Sequence, residues 1–164
     1  MKEILQNLAL AAKANLMKDG HLATVMMWFK DKKLIGSPQL FVDFKEPTTD
    51  ENKDMNVLAA GMFAKEIGAD SVVFIWDGAM KTMNPDQPYD ITESPLSYPE
   101  SMRTECILIE AIKMPSGKED VIIIPYKGGD GKPVEFLPED AYKGMDHFKS
   151  RISEIVVRGY SLSV

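Results

Sequence analysis

Between two runs that read as β-strands, Val72-Val73-Phe74-Ile75-Trp76 and Cys106-Ile107-Leu108-Ile109, lies a long polar stretch from Asp77 to Glu105. A structureless connection of this length inside a compact domain is uncommon, and is usually a lid, a binding loop or a disordered excursion. Any fold for this chain has to fasten the two ends of that stretch. The stretch carries Met83, Tyr89, Leu96, Tyr98 and Met102, interleaved with Pro85, Pro88, Pro95 and Pro99. Tyrosine and methionine suit adaptable contact surfaces, and proline lowers the entropy lost when a path is fixed. Those five apolar residues are the interface candidates. The plainer alternative is a loop tucked against its own domain.

The rest of the chain reads as short helices and hairpins. Residues 2–17 fit a helix with Leu5, Leu8, Ala12 and Leu16 on one face, joined by Ile4 and Ala11. His21 to Phe29 and Leu40 to Phe44 have strand composition. Residues 51–67 give the clearest helix, with Met55, Leu58, Ala59, Met62, Phe63 and Ile67 as its apolar stripe and Gly68 as its stop. Glu105–Lys113 and Glu119–Tyr126 flank the turn Met114-Pro115-Ser116-Gly117-Lys118 and predict a hairpin. Val134 to Leu137 fits a return strand. Residues 145–157 fit a short helix through Phe148, Ile152, Ile155 and Val156, while Ile155-Val156-Val157 fits a strand equally well.

This order predicts one α+β domain over residues 1–164, with a long inserted loop at about 77–105. The expected architecture is a mainly antiparallel twisted sheet with two principal helices packed on one face and a short C-terminal helix. At 164 residues the chain can bury a core without disulfides or metal. Its net charge of -6 disfavours a nonspecific nucleic-acid surface and an anionic membrane surface, so neither partner is expected. The single cysteine and the absence of an apolar leader in Met1–Asn7 predict a soluble, cytoplasmic protein.

Reaction signatures are weak. Gly128-Gly129-Asp130-Gly131-Lys132 lacks the spacing of a phosphate loop and runs into Pro133, so a hairpin turn is expected. His21 and His147 have no partners at metal-ligand spacing, and neither a metal nor a cofactor is expected. Cys106 opens an apolar run and reads as a small hydrophobe, unless a base such as His21 lies beside it. The strongest cluster joins Asp77, at the end of one strand, to Arg103 and Glu105 at the start of the next. An arginine–carboxylate pair there would anchor the loop or orient an acidic ligand, and two close carboxylates would supply acid/base chemistry.

The runs Phe74-Ile75-Trp76-Asp77-Gly78-Ala79-Met80 and Ser101-Met102-Arg103-Thr104-Glu105-Cys106-Ile107-Leu108 resemble small uncharacterised bacterial or phage proteins. In those, an aromatic-ended strand leads into a loop that returns through an Arg-x-Glu segment. The resemblance spans residues 50–126 and implies no activity. Two functions remain expected: a noncatalytic binding or assembly protein, a homodimer or one with another protein partner, using the 77–105 loop and a sheet edge; or a small hydrolase or other acid/base enzyme centred on Asp77, Arg103 and Glu105, with His21 as a further catalytic candidate.

Overall fold

The computed structural model describes residues 1–41, 50–81, 103–137 and 151–162. The chain opens with helix α1 (Lys2–Asp19), which ends where Gly20 turns left-handed and its N–H bonds the Leu16 carbonyl. Strand β1 (Val25–Lys30) follows, with two short strands beside it, β2 (Lys33–Leu34) and β3 (Gln39–Leu40). Helix α2 (Asp50–Ile67) leads into β4 (Ser71–Lys81), then β5 (Arg103–Lys113), β6 (Glu119–Gly129) and β7 (Lys132–Phe136), and helix α3 (Arg151–Leu162) comes last. The order across the sheet is β2-β1-β4-β5-β6-β7, with β3 also on β1, and every pairing is antiparallel.

The α+β class and the antiparallel sheet are as the sequence predicts. The helices, however, divide between the two faces of the sheet. Leu5, Ala9, Ala12 and Leu16 of α1 pack with Phe29, Val73, Ile75, Ile107, Ile109 and Ile124. On the other face, Val57, Ala60 and Ala64 of α2 and Ile152 and Val156 of α3 pack with Trp28, Val72, Phe74, Trp76 and Ile112. The continuous apolar runs of β4 and β5 are the physical reason. A strand that alternates can leave one face to water, but one that is apolar at every position has to be covered on both.

Helix α2 turns most of its expected stripe away from the core, although Ile67 packs against it, Leu58 is half-buried and Phe63 meets Trp28 edge-on at 4.9 Å. Asn52, Asn56, Val57, Ala60, Gly61 and Ala64 face inward, whereas Met55, Ala59, Met62 and Phe63 are exposed. Helix α3 dictates this. A Cβ on Gly61 would lie 2.0 Å from the Val156 carbonyl oxygen, and one on Gly159 would lie 2.1 Å from that of Leu58. Each helix thus presents a glycine to the other's backbone, and only the small-residue side of α2 permits so close a crossing.

Of the two readings open for residues 155–157, the helix is the one observed, within α3. Two element boundaries differ from expectation. Strand β3 stops at Leu40, and Val42–Phe44 lie outside the described residues. The predicted loop starts later and ends earlier, because β4 continues through Asp77 to Lys81 and β5 begins at Arg103. Cross-strand pairing of Gly78 with Cys106 and of Ala79 with Glu105 keeps this part of the chain extended.

Candidate functional site

Register sets the geometry at the far end of the sheet. Asp77 lies opposite Ile107, and Glu105 lies opposite Ala79 on one side and Tyr126 on the other. Alternation places Asp77, Glu105 and Tyr126 on the face covered by α1. Asp77 and Glu105 are diagonal neighbours, at a Cα separation of roughly 7–8 Å. Tyr126, itself almost fully buried, reaches across β5 and its hydroxyl donates a 2.6 Å hydrogen bond to Asp77 Oδ1.

Burial and neighbouring charge act in the same direction on the titrating groups here. Partial burial raises the Asp77 carboxyl above its usual range; the Tyr126 hydroxyl opposes that and the Asp130 charge adds to it. Burial, together with the carboxylate it bonds, pushes the Tyr126 phenol well up. Cys106 is fully buried, and alternation turns it toward the face covered by α2 and α3. Burial first, then the charges of Asp77 and Glu105, push its thiol up to about 12. A thiol so placed is a packing group and not a nucleophile at neutral pH.

His21 is exposed, with Nδ1 3.0 Å from the Asp19 carbonyl oxygen. It follows Gly20, whose carbonyl accepts the Asp130 N–H at 2.9 Å and so ties the end of α1 to the β6–β7 turn. That turn is the glycine-rich segment 128–131, a hairpin turn as expected. Arg103 lies opposite Lys81, four positions along β5 from Ile107 and so roughly 13 Å up the strand from the Asp77 pair. The structure therefore gathers Asp77 and Glu105, sets Arg103 at the distal end of the ribbon, and keeps His21 at the surface. Met83, Tyr89, Leu96, Tyr98 and Met102 lie outside the described residues, as does His147.

Tyr126 and Asp130 escaped the sequence reading. Counting outward from the 114–118 turn would have found Tyr126, because that hairpin puts it opposite Glu105. No family model matches this chain, no curated protein matches it, and no solved structure matches its fold.

The sheet's most distinctive part is a β4–β5 ribbon that outruns β1 on one side, while β6 stays paired with β5 as far as Glu105 on the other. Strand β1 pairs with β4 only as far as Ile75, yet β4 and β5 stay paired to Lys81 and Arg103. Six residues of β4, Trp76 to Lys81, thus extend about 20 Å beyond the last β1 partner. Both faces of the ribbon's base are fastened. On one, Asp77 is held by Tyr126. On the other, Trp76 stacks on Phe74 at 5.3 Å, meets Phe41 edge-on at 5.9 Å and lies under Lys53 Nζ at 4.4 Å.

An open cleft of about 340 Å³ lies between Met17–Gly20 and Gly131–Val134, and its lining includes neither Asp77 nor Tyr126. Among the described residues, no three His, Cys, Asp or Glu side chains converge as a metal site, and no helix is long and apolar enough to cross a membrane.

Proposed function

We propose that this is a noncatalytic binding and assembly protein whose contact surface is the segment between β4 and β5 together with the adjoining sheet edge, and that it works as a homodimer. The observation that carries the reading is the β4–β5 ribbon, which runs past its neighbour β1 and is fastened at its base on both faces. The side chains at its base suit fastening more than chemistry: one Asp77 oxygen is taken by a tyrosine, and Cys106 is packed inside. The lone buried cysteine supports a reducing, cytoplasmic setting.

The competing reading is an acid/base enzyme at Asp77, Arg103 and Glu105. Its specific support is the raised pKa of Asp77. Against it, Arg103 sits at the opposite end of the ribbon from Asp77.

The ribbon also supplies the experiment. Lys81 and Arg103 are directly paired, so a two-residue Asn-Gly turn can replace residues 82–102 and leave the hairpin closed. Sedimentation equilibrium of the full chain should reveal reversible self-association, and the shortened chain should associate at least tenfold more weakly with unchanged near-UV circular dichroism. A full chain that stays monomeric at every concentration overturns the assembly reading. Equal association of the two chains removes the 82–102 segment from the contact surface.

A further inference from the structure

We infer that the open edge of β4, from Asp77 to Lys81, pairs antiparallel with the same edge of a second copy about a two-fold axis at Ala79. The inference rests on the assembly reading above and names the strand and register within it.

The edges of this sheet are not alike. On one side the outer strands are the two-residue pieces β2 and β3, separated by Gly36-Ser37-Pro38. On the other side β7 contains Pro133, and its pairing with β6 shifts register between Lys127 and Gly129. Short, interrupted or proline-bearing edges are the means by which sheets avoid adding strands. The projecting part of β4 carries two charges, Asp77 and Lys81, that deter a mismatched strand, but no proline, bulge or interruption. Its pairing with β5 is unshifted from Ser71 to Lys81, it contains no proline, and among the described residues no strand lies on its other side beyond Ile75. An edge left this regular is suited to receive another strand, with main-chain hydrogen bonds supplying the contact.

Charge selects the partner and the register. Antiparallel pairing about Ala79 brings Asp77 opposite Lys81 of the second copy, and two-fold symmetry repeats the contact with the copies exchanged. Opposite charges directly across a strand pair are favourable, and like charges are not. A register centred on Asp77 or on Lys81 would oppose two carboxylates or two ammonium groups. The edge is therefore complementary to itself in one arrangement.

Cysteine cross-linking of the full chain reads the register directly. Native Cys106 is fully buried, which keeps its thiol out of the reaction in the folded protein. Ala79→Cys should form a disulfide-linked dimer under mild oxidation, because the two residues face one another at the axis. Lys81→Cys should not, because residues 81 of the two copies are offset by four positions, roughly 13 Å. That exceeds the Cα separation of about 7 Å that a disulfide bridges. In a second arm, Lys81→Asp and Asp77→Lys should each weaken self-association at least tenfold, and mixing the two should restore it by opposing Asp to Lys at both contacts. Should Asp77→Lys fail to fold, the cysteine pair alone decides.

Cross-linking at 81 in preference to 79 overturns the register. A dimer by mass with neither cysteine linked overturns the edge pairing and leaves the assembly reading standing. A monomer at every concentration overturns both. Slow amide exchange at 77–81 in such a monomer would assign the edge to a segment of the same chain.

Discussion

The hydroxyl of Tyr126 on β6 bonds Oδ1 of Asp77 on β4 at 2.6 Å, spanning the intervening strand β5. One hydrogen bond thus ties the first and third strands of the meander at the base of the ribbon. Tyr126→Phe keeps the ring and removes the donor. It should lower unfolding free energy by about 1 kcal/mol, the usual worth of one such bond at a partly solvated site. Urea denaturation measures it, and amide exchange at Gly78 and Ala79 should quicken in parallel. Unchanged exchange would mean that the ribbon is held by other contacts.

Asp77 also makes stability depend on pH. Its pKa in the folded chain lies above the ordinary 3.8, chiefly through partial burial. An acid whose pKa rises on folding holds its proton more tightly in the folded state, so its contribution is favourable below the unfolded value and is lost as pH climbs through the folded value. Asp77→Asn removes this dependence and still offers Tyr126 an acceptor oxygen. The variant should be the more stable protein at neutral pH, and the difference should close as pH falls to about 4. Parallel urea titrations at the two pH values test the sign; a gap that widens on acidification would reverse it.

The crossing of α2 and α3 should tolerate no added methyl. The atoms that a Cβ on Gly61 or Gly159 would meet are backbone atoms of the opposing helix, which have no rotamer to change. Alanine favours an isolated helix over glycine by about 1 kcal/mol. Here Gly61→Ala and Gly159→Ala should each destabilise by about 3 kcal/mol, since the helices have to separate. The double variant should lose less than the sum of the two, because one separation relieves both contacts. Thermal unfolding of the three variants provides the comparison.

Cys106 should resist alkylation in the folded protein at neutral pH, because it is buried and its thiol is pushed up to about 12. Iodoacetamide labelling should therefore follow the urea unfolding curve. Labelling that runs ahead of unfolding would reveal a local opening at the start of β5.

Much of the architecture was legible in the residues, and the misreadings share a cause. Helix α1 and the β5–β6 hairpin follow from patterns that neighbouring residues complete among themselves. Helix α2 was placed correctly and, for most of its stripe, faced wrongly. Its methionines and Phe63 made the more apolar stripe, but the buried side is set by how closely α3 approaches, and that depends on Gly159, far along the chain. The site divides in the same way. Asp77 and Glu105 were found because their strands are consecutive. Tyr126 was missed because it joins them only after two registers are counted together. Arg103 reads as adjacent to Asp77 if the chain between them is a loop, and the extended strands carry it away.

The division of the helices between the two faces has a consequence for the order of synthesis. Helix α1 is made before any strand, so its face of the sheet can be roofed as soon as the strands pair. The opposite face, with Trp28, Phe74 and Trp76, packs beneath α2 and α3, and α3 emerges only after every described strand is complete. A chain released after Phe136 would possess the whole described sheet, yet leave Gly61 facing an empty berth and the aromatic side of the sheet half covered. One face of this protein can close early; the other waits for residues 151–162.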